Sequence, residues 1–519
     1  MKKSLLGISM LTITCLYGIL AGVVILVVLM FGGNVLYAIL GSLLVLIIQF
    51  LISPWLTDLS MRWFYKAKFD YTMPEYLNSF INEECLKHNI RNLKIGYIDD
   101  GAPNAFTYGR TKKSARIILT RGIFELLNEN EVKAVVGHEI GHIVHMDMLV
   151  MTAVQIVPLV LYAIYQILVE SSDDEKGKGQ IVGYIAYILY IICQYIILWL
   201  SRTREYYADE FAIYETKSSH YLAEALVKIG FGLSTNASKV SKNNALGIFD
   251  SKAGKSLAIT TMNEGAVSKD NIKNAMKWEM WNPWAKWFEI NSTHPLISKR
   301  LIAISKKATM FNEEPYIVFD LQKTESYVDD FLLEVIISFA PIIFILIGLI
   351  ILGVYEGFNG ASISLFIFGL CASYIKFKRS HRSRYDLRQV KDLLSEVKVS
   401  HVTSIPCTLK GTIIGRGNPG CIFNEDFVIK DETGIMFLDY NQPLMIINKI
   451  FALFKSTEYF DKIVEVKGWY RRSPVPYVEI YEYTVDGKTK KVWTYTLSKV
   501  LYVIALIALI TLLIAYIWY

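Results

Sequence analysis

The chain has 519 residues, 53% of them hydrophobic and only 20% charged, with a formal net charge of +6. A soluble protein of this length would be less apolar and more charged, and here the apolar excess falls in blocks, the pattern of membrane spans. No basic stripe interleaved with aromatics argues for nucleic acid, and six cysteines without a C-x-x-C pair argue against a disulfide framework or a thiolate metal site.

Seven windows are long and apolar enough to cross a bilayer at roughly 20 residues per span: 5–31, 35–53, 149–169, 181–200, 331–354, 360–376 and 499–518. The first follows Met1-Lys2-Lys3, and its apolar stretch is too long for a signal-peptide core, so it reads as a retained anchor. Lys2 and Lys3, then Arg62, Lys66 and Lys68, then Arg202 and Arg204, then Lys376, Lys378, Arg379, Arg382 and Arg384 flank alternate ends of these windows. The turns at 32–34, 171–180 and 354–359 are poor in such flanks. The positive-inside rule then predicts a multi-pass protein of the cell membrane with 54–148, 201–330 and 377–498 in the cytoplasm.

Between the second and third windows, apolar runs at 104–109 and 115–120 flank a polar turn at Arg110–Ser114, which predicts a hairpin. Asn128 followed by Glu131 predicts a capping box and a helix through His142. With no proline before Pro158, that helix is expected to continue almost unbroken into the third span. Residues 201–230 are strongly helical, and 234–275, rich in Ser, Asn, Lys and Gly, predict a mobile loop or lid. Trp281–Phe288 fits core or membrane interface equally, and Thr293-His294-Pro295 opens another helix.

From 399 to 498 the character changes to short runs at Leu409–Ile414, Phe427–Lys430, Ile435–Tyr440, Ile463–Gly468 and Tyr477–Tyr483, separated by turn residues. Five such strands predict a small β-barrel of the OB kind. The expected division is two transmembrane helices in 1–53, a protease-like domain in 54–330 interrupted by a transmembrane hairpin at 149–200, two spans in 331–376, a linker and β domain in 377–498, and a terminal span in 499–519.

The chemistry sits in Val135-Val136-Gly137-His138-Glu139-Ile140-Gly141-His142, an H-E-x-x-H pattern on a predicted helix. Histidines four apart share a face, so His138 and His142 can both reach one Zn²⁺. Glu139, about 100° round the helix, suits a base that addresses water rather than the metal. Val135, Val136, Ile140, Ile143 and Val144 surround these groups, and burying them without a metal or partners would be costly. A third ligand is sought in Ser201–Asp209, where Glu205 and Asp209 share a helix face and Ala208 permits close packing. Glu205 would then ligate and Asp209 would hold a ligand histidine. Alone, that stretch reads as a solvated charged helix. Its placement favours the site, since His142 lies roughly 10 Å before the third span and Glu205 roughly 8 Å after the fourth. His145 shares a face with His142, but on a continuous helix it is too far from a metal shared with His138, and the metzincin pattern needs a glycine turn. Asp147 reads as a supporting group.

Asn104-Ala105-Phe106, His138–His142, Asp147-Met148, Ser201-Arg202 with Glu205 and Ala208-Asp209, and Thr293-His294-Pro295 together resemble the HtpX-type membrane metallopeptidases, relatives of the CaaX prenyl endopeptidases. The resemblance covers about residues 1–305. It implies a multi-pass α-helical membrane protein with a gluzincin-type α+β zinc protease domain, to which the C-terminal OB-like barrel is an addition. It also implies Glu205 as third ligand to one catalytic Zn²⁺, and Asn104, Ala105 and Phe106 beside an edge strand on which an extended polypeptide substrate pairs. His294 would stabilise the oxyanion. The implied activity is zinc-dependent endopeptidase cleavage of membrane or membrane-proximal proteins at the cytoplasmic face, in membrane protein quality control. A CaaX-type processing peptidase for lipidated substrates, or a scaffold with a vestigial zinc site and a partner-binding β domain, are the rival readings.

Overall fold

The computed structural model describes residues 2–31, 33–170, 176–229, 269–320, 322–323, 325–354, 360–473 and 475–518. Two long helices, α1 (Lys2–Phe31) and α2 (Gly33–Phe64), are followed by α3 (Glu75–Lys87). Strands β1 (Lys94–Ile98), β2 (Ala105–Tyr108) and β3 (Arg116–Thr120) come next, then α4 (Arg121–Leu126) and α5 (Glu129–Val144). Helices α6 (Asp147–Glu170) and α7 (Lys176–Thr216) pack along one another and against α1. The first half closes with α8 (Ser219–Ile229), α9 (Lys269–Trp281), α10 (Pro283–Ile290) and α11 (Ile297–Ser305). The paired α12 (Val328–Val354) and α13 (Gly360–Ser380) lead to the C-terminal domain.

Among the described residues, α1, α6, α7, α12, α13 and the terminal helix (Thr494–Trp518) are long and apolar enough to cross a membrane. The window at 35–53 falls on α2, many of whose side chains lie outside the described residues. The turns at 32, 171–175 and 355–359, whose want of Lys and Arg entered the orientation argument, also lie outside them, as does the expected lid as far as residue 268. Residues 269–275 begin α9.

Helix α5 starts where its sequence dictates. Asn128 Oδ1 accepts from the Glu131 amide at 3.0 Å, and Glu131 Oε2 accepts from the Asn128 amide at 3.0 Å. The expected unbroken run into the next span does not form. Helix α5 stops at Val144, His145 caps it, Met146 takes a left-handed φ of +56°, and α6 starts afresh at Asp147. The cause lies sixty residues away on α7, where Arg204 donates to the His145 carbonyl at 2.8 Å and pairs with Asp147. A side chain thus replaces the next helical turn as partner for that carbonyl, offsetting roughly 1–2 kcal/mol of left-handed backbone.

Helix α7 continues unbroken from its membrane window as far as Thr216, a single rod of 41 residues. It crosses α5 closely because small residues meet there: a Cβ on Gly141 would stand 3.1 Å from Ala208 Cα, and one on Gly137 3.5 Å from Ala212 Cα. The small sheet has the order β1-β3-β2, with β2 antiparallel to β3 as the hairpin reading predicts, and β2 at its edge.

The C-terminal domain comprises β4 (Asp386–Leu387), α14 (Val390–Ser395), β5 (Ile405–Arg416), β6 (Phe427–Lys430), β7 (Ile435–Asp439), α15 (Met445–Phe454), β8 (Ile463–Ser473), β9 (Val475–Val485), β10 (Lys488–Lys491) and then α16 (Thr494–Trp518). Strand β5 pairs with β6 and β8, β6 with β7, β7 in parallel with β9, and β9 with β8. The ring closes, giving the five-stranded OB-like barrel the alternation predicts. Strands β5, β8 and β9 run several residues longer than their apolar runs suggest.

The barrel is seated on the first half of the chain. Trp278 and Trp284 are buried in the same core as the barrel strands, while Trp287 is exposed, so the Trp-rich segment is mostly core. Trp278 Nε1 donates to the Val399 carbonyl at 2.7 Å, and the Arg472 guanidinium lies 4.8 Å over its ring. Asp100, fully buried, accepts from the amides of Ala102 (3.0 Å) and Gly420 (2.9 Å), tying the β1–β2 loop to the barrel. His401 stacks edge-on against Trp284 at 4.4 Å. Burial first, then Lys376 and Arg471, push its pKa down from 6.5 to about 4. The folded chain therefore keeps His401 neutral where the unfolded chain is protonated. Stability from this group is complete above pH 6.5 and drains away as pH falls towards 4, by up to about 3 kcal/mol. His401→Phe is expected to flatten the acid side of the stability profile, measured as thermal unfolding of detergent-solubilised protein from pH 7 to 4.5.

Candidate metal centre

His138 and His142 project from α5, and the crossing described above brings Glu205 of α7 opposite them. One ligand atom from each lies within 4.8 Å of the others. The Nε2 atoms of the two histidines are 3.1 Å apart, and the Glu205 carboxylate oxygens stand 3.6 Å from His138 Nε2 and 3.5 Å from His142 Nε2.

Their other nitrogens fix what those Nε2 atoms carry. Asp209 Oδ1 lies 2.9 Å from His138 Nδ1, and Asp147 Oδ2 lies 2.6 Å from His142 Nδ1. A carboxylate beside each Nδ1 favours the proton there and frees Nε2 to ligate, so two Nε2 atoms face one point beside an anion. Without a cation between them this arrangement is repulsive. Two nitrogens bound tetrahedrally to one zinc at 2.0–2.1 Å would stand about 3.3 Å apart, so the observed spacing fits a divalent ion. The electrostatics agree. Burial would depress His138, yet Asp209 and Glu205 outweigh it and push its pKa up to about 10. His142 is likewise raised against burial by Asp147 and Glu205. The cradle is built to hold positive charge.

The break after α5 matters here. It swings Asp147 back beneath His142, while His145 turns away to pack edge-on against Tyr207 and Phe211, at ring distances of 6.3 and 6.0 Å. Asp147 is held in turn by Arg204, whose Nη1 reaches Ser9 Oγ of α1 at 2.6 Å.

Glu139 is buried and turned from the ligand cluster towards β2, where its Oε2 accepts from Thr107 Oγ1 at 2.7 Å. Asn104, Ala105 and Phe106 lie along the start of the same edge strand, with the Asn104 amide and carbonyl both bonded to Thr120. His294 sits over Glu205, its Nδ1 2.7 Å from Oε2. The turn bearing it is pinned to α7 by Arg202, which donates to the carbonyls of Glu289 (2.8 Å), Ile290 (3.1 Å) and Ser292 (2.7 Å).

Arg300 of α11 completes the cluster. It pairs with both Asp209 oxygens at 2.8 and 2.5 Å and stands 3.4 Å from Glu205. Thr107, Arg204 and Arg300 escape a search for ligands because none is a ligand type. The available signals were Arg204 beside Glu205 and Arg300 six residues after His294 in a turn already singled out. Asp147→Asn and Asp209→Asn are each expected to weaken metal affinity by about 10–100-fold, because the amide can offer its NH₂ to Nδ1 and disfavour the required tautomer. Competition with a chromophoric zinc chelator measures this.

An H-E-x-x-H helix crossed by a glutamate-bearing helix that emerges from a membrane span defines a membrane-embedded metallopeptidase. Comparison with known proteins agrees. Residues 75–308 match the model of peptidase family M48. A protease HtpX homolog of Methanothermobacter thermautotrophicus is 41% identical over 221 residues, covering 42% of this chain and 83% of the relative. Another from Picrophilus torridus is 28% identical over 284 residues, 54% of this chain and 88% of the relative. The crystal structure of S. mikatae Ste24p matches 56% of this chain and 66% of its own at 19% identity and a TM-score of 0.31, a likeness too slight to carry argument. The chain belongs to peptidase family M48 and is an HtpX-like membrane metallopeptidase.

Proposed function

We propose that the protein is a zinc endopeptidase that cuts membrane and membrane-proximal polypeptides at the cytoplasmic face, removing damaged or misassembled membrane proteins. The observation that carries the reading is the convergence of His138, His142 and Glu205 on one point, with Glu205 on a helix continuous with a membrane span. His138, His142 and Glu205 would hold the ion, which supplies acidification of water and polarisation of the scissile carbonyl. Glu139 takes the proton of the attacking water and passes it to the leaving amine. Thr107 holds the Glu139 carboxylate in orientation through its 2.7 Å hydrogen bond.

An extended substrate pairs along the edge strand β2 beside Asn104, Ala105 and Phe106, which sets its carbonyl against the helix bearing Glu139. His294 engages Glu205 through Nδ1, so Nε2 is the nitrogen left to steady the developing oxyanion. The domain division follows the sequence reading, with the spans of 1–53, 149–200, 331–376 and 499–519 placing 54–148, 201–330 and 377–498 on the cytoplasmic side. The test is a reconstitution in proteoliposomes, offered a destabilised membrane protein and its folded parent. Cleavage of the destabilised form should stop with a zinc chelator and return with Zn²⁺. Equal cleavage of the folded parent would remove the quality-control role, and zinc-indifferent cleavage would remove the chemistry.

A further inference from the structure

Helix α15 joins strands β7 and β8 of the barrel, and it is apolar on its outer face as well as its inner one. Its buried side is Asn448, Phe451 and Ala452. Outward stand Met445, Ile446, Ile450 and Phe454, exposed by 68%, 66%, 53% and 73%. A water-facing helix of a soluble barrel carries polar residues at such positions. Residues 446, 450 and 454 repeat at i, i+4, i+8, so the apolar groups form one continuous stripe.

Two adjacent residues in the middle of α15, Asn448 and Lys449, lead through short links to the ends of two long helices. Asn448 Oδ1 accepts from the Gln442 amide at 2.8 Å, and Gln442 Oε1 accepts from the Trp493 amide at 3.0 Å. Thr494, the first residue of the membrane-length α16, donates its hydroxyl to the Asn441 carbonyl. The next residue, Lys449, donates through Nζ to the Phe423 carbonyl at 2.8 Å. The Phe423 ring packs 5.6 Å from Phe64, the last residue of α2, and the Phe64 carbonyl accepts from the Ile422 amide at 3.0 Å. The middle of α15 is therefore tied close to the first turn of α16 and to the end of α2.

We propose that α15 is an interfacial helix, lying along the bilayer surface with Ile446, Ile450 and Phe454 in the boundary between headgroups and acyl chains. A short helix with an apolar stripe and lysines beside it is suited to that depth. The occupant of the face is lipid, because these bonds tie α15 to the start of α16, a helix of membrane length and composition with no buried residue, whose apolar surface lipid would cover. The barrel is thus bound to the membrane through α15 as well as through the spans on either side of it.

The experiment places the photoreactive amino acid p-benzoylphenylalanine at position 446, 450 or 454 of the full chain, and at Lys488 on an exposed strand as reference. The variants are reconstituted in vesicles of phosphatidylcholine and phosphatidylglycerol and illuminated. Lipid adducts at 446, 450 and 454, with none at 488, are expected. Adducts to a second copy of the chain, or no lipid adducts at the three positions, would overturn the proposal. A measurement on the unaltered protein stands beside it. Met445 should resist peroxide oxidation in vesicles while Met310, exposed by 58%, is converted to sulfoxide. Equal oxidation of the two would equally overturn the proposal.

Discussion

Glu139→Gln is expected to slow peptide-bond cleavage by a factor of about 10²–10⁴ while leaving metal content unchanged. The carboxylate is not among the clustered ligand atoms, and its Oε2 is held by Thr107 on the edge strand at 2.7 Å. Glutamine keeps the size of the side chain and an oxygen able to accept from Thr107, so the α5–β2 contact survives. What it loses is the capacity to take a proton from water and return it to an amine. Single-turnover cleavage of a quenched peptide, with zinc measured in the same sample by atomic emission, reads both quantities. Wild-type cleavage would end the assignment of Glu139 as base. Loss of the metal along with activity would make it part of the ion's support instead.

Arg300→Leu is expected to destabilise the fold by about 3–5 kcal/mol, the usual consequence of removing one partner from a buried ion pair. Its guanidinium is almost fully buried and faces two buried carboxylates, bonded to Asp209 and 3.4 Å from Glu205. Leucine fills part of the space and removes the guanidinium that both anions share, leaving them only the neighbouring histidines. The double variant Arg300→Leu with Asp209→Asn should recover part of the loss, because the orphaned charge has gone. Chemical unfolding in detergent gives the free energies. A single variant within 1 kcal/mol of the parent would mean that water reaches the cluster and screens it.

The site was legible in the chain wherever its residues are neighbours along one helix. His138 and His142 declare themselves by their spacing, and Asn128 with Glu131 marks where their helix begins. The barrel was legible because each strand is bounded by turn residues. What could not be read are features imposed from a distance. The stop after Val144 has no glycine or proline to announce it, since it depends on Arg204 capturing the His145 carbonyl. The role of Arg300 depends on a turn that Arg202 pins to α7. The seating of the barrel through Asp100 and Trp278 joins segments more than a hundred residues apart, where periodicity carries no information.

That same dispersal orders events during synthesis. His138 and His142 leave the ribosome first, Glu205 only after α6 and most of α7 have been made, and the His294 and Arg300 that steady Glu205 and Asp209 almost a hundred residues later. Domains form from the amino terminus as the chain lengthens. A nascent chain therefore carries an incomplete centre until α11 has been synthesised. A chain cut short at the end of α10 would hold His138, His142 and Glu205 without the His294 and Arg300 that stand beside them.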